Sequence, residues 1–347
     1  MPPPRGAAAP DDRRGLASEV GLTTAARRIL GDGPRWRPPE VWERAGVPEP
    51  LARRLWLAMG FPHLPDGEAL LTDHDLQALR RAGELLAEGA LDADHLVHQA
   101  RLMAQAVSTV ATAHVESLLA PGGGDALLTG LTDDSADPVA LVSELLEYLY
   151  RRHLYAALER AVLTNRGDEA LAATAVGFAD LSDFSARSAA ATEDELTVMI
   201  DAFVTTAADL VAAHGGRVVK LLGDAVLFTV GDARAAAEVA LDLAADHGAD
   251  GGPVPGAPAV HIGVAWGPVV AHHGDVFGST VNVASRLGDA ARPGTVLVDG
   301  RLADVLARST GLELRRSGVR SLKGLGPVRA YLLRRRRPGA DDRLEFW

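Results

Sequence analysis

From about Leu22 to Leu163, apolar residues recur at helical spacing, and no alternating strand pattern is present. This spacing is typical of amphipathic helices, because about 3.6 residues make one turn. Short helices are predicted for Pro39 to Ala45 and for Glu49 to Met59, with a tight turn at Gly46 between them. The pattern therefore predicts an all-helical domain over residues 21–164.

Further helices are predicted in this half of the chain. One begins at Asp73 and ends before Gly89, and a longer one follows an Asp92 cap. Asp137 followed by Pro138 is typical of a cap and the first turn of a helix, so a long amphipathic helix is predicted after them. The apolar positions along the two longest helices are Leu96, Met103, Val107, Val110, Leu141, Leu145, Leu149 and Tyr155.

Near residues 165–168 the apolar period changes from helical spacing to the alternation of strands. Helices and strands then follow in the order β-α-β-β-α-β, which is typical of a ferredoxin-like fold. Two more strand-like runs lie near Val296 and Tyr331. The other predicted strands are Thr174 to Phe178, Arg217 to Leu222, Leu227 to Val230 and His261 to Trp266, and the predicted helices are Glu193 to His214, Ala233 to Asp246 and Ser279 to Asp289.

These elements predict an α+β protein in which an all-α regulatory domain precedes a ferredoxin-like domain. Residues 1–20 are interpreted as a flexible tail, and residues 21–164 as the helical domain with a long connecting helix. A linker over 165–172 leads to the second domain at 173–337, and residues 338–347 form a C-terminal tail.

Composition narrows the class of protein. The 347 residues are 47% apolar and 23% charged, which is enough to bury a core in each of two domains. The chain contains no cysteine, so disulfides, thiolate zinc sites and a cysteine nucleophile are excluded. A net charge of -11 argues against general nucleic-acid binding, and an anionic substrate would require a local cationic pocket.

Hydropathy and the first residues bear on location. No run of 18 or more apolar residues occurs, and the start of the chain lacks the apolar stretch of a secretory signal. The sequence therefore predicts a cytoplasmic protein with no stable membrane insertion.

Two aspartates are candidates for metal chemistry. Asp180 ends an apolar strand and Asp224 falls at the turn of a predicted hairpin, so both carboxylates can meet at one edge of a sheet. Such a pair can hold two hard divalent cations whose other ligands are phosphate oxygens and waters. Considered alone, each residue is as well explained as an ordinary turn or cap aspartate.

Cationic and polar candidates accompany the aspartates. Lys220 lies in an apolar strand, where a buried ammonium requires a partner, although an outward-facing lysine on an edge strand is the alternative. Asn282 and Arg286 are four residues apart on a predicted helix and share one face. Aimed at phosphate or ribose, they would stabilise a transition state, and otherwise they form a solvated helix face.

Together these residues resemble the class III nucleotidyl cyclases over about residues 173–335. Separated motifs in the family's order make the resemblance specific. They are Phe178-Ala-Asp-Leu181, Lys220-Leu-Leu-Gly-Asp-Ala225, Ile262-Gly-Val-Ala-Trp-Gly-Pro-Val-Val270, Gly274-Asp-Val-Phe-Gly278, Thr280-Val-Asn-Val-Ala-Ser-Arg286 and Leu322-Lys-Gly-Leu325.

The resemblance implies a role for each matching residue. It implies that Asp180 and Asp224 bind two Mg²⁺ or Mn²⁺ ions, and that Lys220 and Asp275 read the purine. The remaining implied roles are orientation of the ribose and stabilisation of the transition state for Asn282 and Arg286, and contact with the triphosphate for Lys323.

The resemblance also implies the reaction, in which ATP is converted to 3′,5′-cyclic AMP and pyrophosphate by attack of the ribose 3′-oxygen on the α-phosphorus. Lys220 with Asp275 suits adenine, because a carboxylate accepts from the 6-amino group and cannot accept from the 6-oxo group of guanine. Family sites lie at a head-to-tail dimer interface. A chain with one catalytic domain is therefore expected to act as a homodimer.

One position departs from the family pattern. Asp183 occupies the place of a glycine in the loop whose backbone amides approach the triphosphate. A carboxylate there can repel phosphate or bind a metal ion itself. The expected effect is a raised KM for the substrate.

The segment from Val41 to Phe61 resembles the N-terminal regulatory domain of a group of actinobacterial cyclases, some of which respond to pH. Acid sensing is a hypothesis for this half, because several of its histidines lie on predicted helices. Each of them is equally an ordinary surface histidine. The candidates are His74, His95, His98, His114 and His153.

Two other classes of function stay open at this point. Pro39 to Met59, which contains several arginines, is also consistent with a helix-turn-helix that binds DNA, although Glu40, Glu43 and Glu49 count against it. A catalytically weak cyclase fold that only binds nucleotide as a regulatory module is the other alternative.

Overall fold

A computed structural model describes residues 26–119, 138–164, 173–189, 191–247, 258–322 and 326–336. The chain divides into two compact units, Met1–Ala156 and Ala157–Trp347. The two predicted tails and the predicted linker lie outside the described residues, and so does Lys323.

The first unit is built from helices, as predicted. Helix α3 begins after Thr72, whose side chain accepts a hydrogen bond from the Asp75 backbone N–H, and Asp92 accepts one from the His95 N–H at the start of α4. These caps satisfy amides that have no partner within the helix. The helices are α1 Pro38–Ala45, α2 Glu49–Ala58, α3 Asp73–Ala87, α4 Ala93–Leu119 and α5 Pro138–Thr164, of which α5 runs past Ala156 into the segment of the second unit.

The core of this unit lies among α1 to α4. Val41, Trp42, Leu55, Leu71 and Leu79 are all at most 8% exposed. They pack in one cluster with the first turns of α4. Burial of this kind, worth about 25 cal/mol per Å² of apolar surface, holds the short helices together.

The apolar positions farther along α4 and α5 are not covered within the described residues. Met103, Val107, Leu145, Leu149 and Tyr155 are each between 40% and 57% exposed. The predicted apolar alignment of both helices therefore forms without the burial expected of an amphipathic helix. Spacing decides which positions share a helix face, but another element must cover that face before it is buried.

The second unit contains a seven-stranded sheet in the order β2-β3-β1-β4-β7-β9-β8. The first four strands in this order pair with one another in antiparallel fashion and form the predicted ferredoxin-like arrangement, and β4 pairs with β7 in parallel. Its elements are β1 Ala173–Leu181, α6 Phe184–Ser188, α7 Glu193–Ala213, β2 Arg217–Leu222, β3 Ala225–Val230, α8 Ala233–Asp246, β4 Val260–Pro268, β5 Val270–His272, β6 Asp275–Phe277, α9 Ser279–Ala290, β7 Thr295–Asp299, α10 Gly300–Leu306, β8 Leu312–Leu322 and β9 Gly326–Arg335.

The two faces of this sheet have different covers. Helices α7, α8 and α10 pack on one face in a large cluster that includes Phe203, Phe228 and Leu302. Helix α9 packs on the other face, where Val176 and Leu227 are buried beside it. We call this second side the α9 face.

Helix α7 contains a stretch, Asp194–Ala213, that is long enough to cross a membrane and has a mean hydropathy of 1.6. Phe203, Ala207 and Val211 in this stretch are at most 1% exposed and pack in the sheet core. A core helix of a globular protein has the same length and composition, so this helix is weak support for a membrane span. No other helix in the described part of the chain meets the same criteria.

Candidate active site

Asp180 and Asp224 lie side by side at one end of the sheet. Asp180 pairs with Ala225 across β1 and β3, and the Leu181 N–H donates to the Asp224 carbonyl at 3.3 Å. Asp224 follows Gly223, whose φ of 67° forms the tight turn between β2 and β3. The Asp224 carboxyl group is close enough for its negative charge to raise the pKa of Asp180. The predicted meeting of these side chains at one sheet edge is therefore present in the structure.

The surroundings of Asp180 disfavour its ionised form. Burial and the neighbouring Asp224 charge raise the pKa of Asp180 to about 6, against the opposing effect of His261. The Asp180 Oδ1 atom is buried and has no hydrogen-bond partner among the described residues. A buried acceptor without a donor is costly, so this atom is suited to a cation.

Asp180 and Asp224 are suitable ligands for a divalent cation whose remaining ligands come from a bound substrate. Two adjacent carboxylates supply hard oxygen ligands, which Mg²⁺ and Mn²⁺ prefer. Within the described ranges no group of three or more His, Asp or Glu side chains is arranged to hold a metal ion. Protein ligands alone would leave the coordination incomplete, and phosphate oxygens and water would have to supply the rest.

His261 joins this site and was missed in the sequence analysis. Its Nδ1 lies 3.0 Å from the Gly288 carbonyl of α9 and so donates to it, and its Nε2 lies 3.6 Å from Asp180 Oδ2. The side chain is 18% exposed. Strand register places it here, because His261 is the β4 residue that pairs directly with Asp180.

Lys220 and Asp275 form an ion pair, with Nζ 2.5 Å from Oδ2. The other Asp275 oxygen accepts from the Val276 N–H at 2.8 Å. Burial raises the pKa of Asp275, but the hydrogen bonds from Lys220 and Val276 outweigh it and the net shift is downward. The partner that the strand lysine requires is thus Asp275, and the carboxylate stays ionised.

Asn282 and Arg286 lie on the exposed side of α9, four residues apart as predicted. Arg286 Nη1 contacts Asp289 Oδ2 at 3.0 Å, and both side chains are about half exposed. Among the described residues no hydrogen bond or ion pair joins Asn282 or Arg286 to Asp180 or Lys220. The structure therefore places Asp180 beside Asp224 and Lys220 beside Asp275. Asn282 and Arg286 face outward.

The position of α9 is fixed by close backbone contact with the sheet. An added Cβ at Gly263 would lie 2.1 Å from the Gly288 nitrogen and 2.2 Å from the Ala284 carbonyl, so only glycine allows this approach. At the start of the helix, the Thr280 hydroxyl donates to the Pro268 carbonyl at 2.7 Å. The outward direction of Asn282 follows from this fixed inner face.

Asp183 adopts a conformation that explains why glycine is usual at its position. Its φ of 58° and ψ of 24° are left-handed, and it precedes the short helix α6. Glycine enters this region without cost, and aspartate is among the few other residues that tolerate it. The side chain is exposed and makes no cap hydrogen bond.

The five candidate histidines of the first unit are exposed or half-buried. His95 is the best defined, with Nδ1 2.7 Å from Asp92 Oδ2 and a side chain that is 71% exposed. Its two hydrogen bonds to Asp92 lower the pKa of that carboxyl.

The arginines of α1 and α2 contact acidic or aromatic groups. Arg53 binds Glu49 and Asp66, Arg54 binds Asp94, and the Arg44 guanidinium lies 4.1 Å from the Trp36 ring centroid. DNA phosphates bind arginines whose charge is not already balanced, whereas carboxylates balance the charge of Arg53 and Arg54. The described contacts therefore give no support to a DNA-binding role.

Comparison with known families accounts for both units. Residues 168–335 match the family described as the adenylate and guanylate cyclase catalytic domain. Residues 5–161 match the adenylate cyclase regulatory domain. Within this pair of families, the sheet with its two aspartates is the catalytic part, and the helical unit is the regulatory part.

Named relatives align with most of this chain. An adenylate cyclase from Streptomyces coelicolor is 36% identical over 347 aligned residues, which cover 90% of each chain. One from Streptomyces griseus is 38% identical over 81% of this chain and 70% of its own length. A Mycobacterium tuberculosis protein named as a pH-sensitive adenylate cyclase is 30% identical over 94% of this chain and 84% of its own.

The chain therefore belongs to the class III adenylate cyclases, in the actinobacterial group with an N-terminal helical regulatory domain. It is an enzyme, as its sequence predicts, and its resemblance to the class III nucleotidyl cyclases is confirmed.

Proposed function

We propose that the protein converts ATP to 3′,5′-cyclic AMP and pyrophosphate at a site completed by two copies of the chain. The observation that carries this proposal is the Asp180 and Asp224 carboxyl pair, in which one buried Asp180 oxygen has no donor within the described part of the chain. Class III cyclases generally use divalent ions, so the two aspartates are proposed to hold two Mg²⁺ or Mn²⁺ ions.

Each proposed residue has a distinct task. The bound ions would lower the pKa of the ribose 3′-hydroxyl and compensate charge on the phosphates. Asp180 and Asp224 hold that charge at the sheet end, and Asn282 and Arg286 orient the ribose and stabilise charge on the α-phosphate. Lys323, which lies outside the described residues, is proposed to contact the triphosphate.

Lys220 and Asp275 are proposed to select adenine. The carboxylate is kept ionised by Lys220 and by the Val276 N–H, so it only accepts hydrogen bonds. The 6-amino group of adenine can donate to it, whereas the 6-oxo group of guanine would face an acceptor. A mismatch of this kind in a site built for a donor is strongly rejected.

A homodimer is proposed because no hydrogen bond or ion pair among the described residues joins Asn282 or Arg286 to Asp180 of the same chain, so a second copy would bring its own aspartate pair to them. Apolar side chains around β2 and the β5–β6 hairpin are unusually exposed and suit contact with a second copy. They are Leu221 at 49%, Leu222 at 45%, Val270 at 63% and Phe277 at 48% exposure. A head-to-tail pair of identical chains would then have two equivalent sites.

The enzyme proposal is tested by incubating purified protein with ATP and Mg²⁺ or Mn²⁺, beside an Asp180→Ala control. Cyclic AMP is expected from the natural chain alone. Nucleotide binding without cyclic AMP at any pH would favour the alternative of a binding module and refute catalysis.

The shared site is tested by mixing two inactive variants, Asp180→Ala and Arg286→Ala. In a mixed dimer one site inherits both defects and the other neither. Random exchange should therefore restore about one quarter of the natural activity, because half of the dimers have one intact site each. A mixture as inactive as its components would contradict the head-to-tail arrangement.

Control by the N-terminal helical domain, with a dependence on pH, is a further part of the proposal. The supporting observations are the exposed histidines, His95 with its Asp92 partner among them, and the relative named as pH-sensitive. Helix α5 is proposed to connect control to catalysis, with 165–172 as linker. The activity ratio between the full chain and residues 168–347 should change from about pH 5.5 to 8, and a constant ratio would exclude acid sensing.

A further inference from the structure

Arg217, the first residue of β2, lies on the same sheet face as Lys220 although the two are three residues apart. Side chains three apart on a regular strand point to opposite faces. A register shift between Val218 and Lys220 changes this, so that Arg217 pairs with Thr229 and Lys220 with Leu227. Those two β3 partners are two apart and share the α9 face. The bulge in β2 thus places both cations beside the β5–β6 hairpin.

The hairpin receives Arg217 at its turn. His272 pairs with Asp275, and the two residues between them, His273 and Gly274, have φ of 54° and 79°. Two positive φ values in a two-residue loop define a type I′ turn. Arg217 Nη1 donates to the Gly274 carbonyl at 2.8 Å. That carbonyl belongs to the peptide group that leads directly into Asp275.

We propose that Arg217 is a positioning residue for base selection, which holds the β5–β6 turn so that the Asp275 carboxylate meets the purine in one orientation. The inference rests on the proposed role of Lys220 and Asp275 in reading adenine. It adds a residue that binds the backbone next to Asp275 and does not contact the base.

A second attachment is needed because the first is partly exposed. The Lys220 side chain is 40% exposed, and an ion pair in contact with solvent holds a carboxylate only weakly. With Arg217 on the turn, β2 contacts the hairpin at two points, and the second contact opposes rotation of the hairpin about the ion pair. The Arg217 charge also contributes to keeping Asp275 ionised, and hence an acceptor only.

The test uses the full chain and compares kcat/KM for ATP with kcat/KM for GTP. Arg217→Ala should raise KM for ATP and lower the ATP-to-GTP ratio about tenfold, which is the effect of losing one charge-assisted hydrogen bond. Arg217→Lys, which retains the charge and one donor, should keep most of the ratio. Arg315→Ala removes an exposed arginine from the opposite edge strand β8 and should change nothing.

A double variant separates positioning from a general structural effect. If Arg217 acts through Asp275, then Arg217→Ala should not lower the ratio further in an Asp275→Asn background. An equal loss of activity with both nucleotides, or full additivity of the two ratio effects, would overturn the inference. If Arg217→Ala does not fold by circular dichroism, Arg217→Gln takes its place.

The same measurements distinguish this inference from the proposed function. A natural chain that makes no cyclic nucleotide, or an unchanged ratio in Asp275→Asn, would overturn the adenine-reading role and this inference with it. A lowered ratio in Asp275→Asn beside an unchanged ratio in Arg217→Ala would overturn the inference alone.

Discussion

Two carboxylates on the α9 face have opposite electrostatic surroundings. Burial and the like charge of Asp224 raise the pKa of Asp180 to about 6. Asp275 is also opposed by burial, yet its hydrogen bonds from Lys220 and Val276 lower its pKa. The second carboxylate has its charge balanced by partners within the protein, whereas the first is proposed to need a cation from outside the chain. We therefore propose that Asp180 binds a metal ion and that Asp275 presents a fixed acceptor to the base.

The largest effect is expected from a substitution in the Asp180 and Asp224 pair. Asp180→Asn keeps the shape of the side chain but removes the charge that would hold the ions. Because metal assistance is worth several kcal/mol, kcat with ATP should fall about 10³-fold or more. The measurement is cyclic AMP formation at saturating Mn²⁺. Asp304→Asn, on α10 and 67% exposed, is the control for a lost surface carboxylate, and similar losses in both variants would contradict the special role of Asp180.

The next largest effect is expected from a substitution in the Lys220 and Asp275 pair. Asp275→Asn replaces an acceptor with a group that can also donate to the 6-oxo group of guanine. The ratio of kcat/KM for ATP to that for GTP should fall about 100-fold, mainly through ATP. Asp180→Asn should leave this ratio unchanged in its residual activity. A loss confined to kcat, with the ratio intact, would contradict base reading by Asp275.

Stability should change in opposite directions for the two residues in metal-free buffer. The folded-state pKa of Asp180 is raised, so its contribution to stability is present below its unfolded pKa and is lost as pH rises through about 6. Asp180→Asn should therefore raise the free energy of unfolding at about pH 7 by about 1 kcal/mol, a figure reduced for solvent screening because the side chain is 35% exposed.

Asp275 has the opposite sign because its folded-state pKa is lowered. Its contribution is present above its unfolded pKa, so Asp275→Asn should lower stability at about pH 7, and the difference should shrink as the solution is acidified. Urea unfolding at about pH 7 and at about pH 3, which is below the usual aspartate pKa of about 3.9, checks both variants. A shift in the same direction for both would mean that the two environments are not opposed.

The smallest effect concerns the loop beside the metal pair. Asp183→Gly removes an exposed charge near the proposed phosphate path and keeps the left-handed conformation, so KM for ATP should fall about threefold. Asp183→Asn is the matched control that removes charge and also tolerates φ of 58°. Equal decreases in both variants would assign the effect to charge, and an unchanged KM in both would remove any role for Asp183.

The elements of the catalytic unit were predictable where local patterns were strong. Helix α8 was predicted with its observed bounds, and β2 likewise. Strand β8, the β5–β6 hairpin and α10 were not predicted. Leu312–Leu322 carries several arginines on an edge strand, and a three-residue strand such as Val270–His272 has too few positions to establish a period.

The site shows the same division between local and long-range information. Residue type and spacing identified Asp180, Asp224 and Lys220 as candidates. The partner of Lys220 is 55 positions away, and it came from the family resemblance because no local pattern connects them. His261 and Arg217 depend on strand register and on a bulge, which a single sequence does not reveal.

At the contact between α9 and β4, Gly263 and Gly288 differ in how much space surrounds them. A Cβ at Gly288 would lie 3.6 Å from the nearest atom, which is an ordinary contact, whereas one at Gly263 would lie 2.1 Å from the helix backbone. In evolutionary terms, Gly288 can change to alanine, but every single-residue replacement at Gly263 displaces the helix that carries Asn282 and Arg286. Selection on catalysis should therefore act strongly on a position that has no side chain and takes no part in the chemistry.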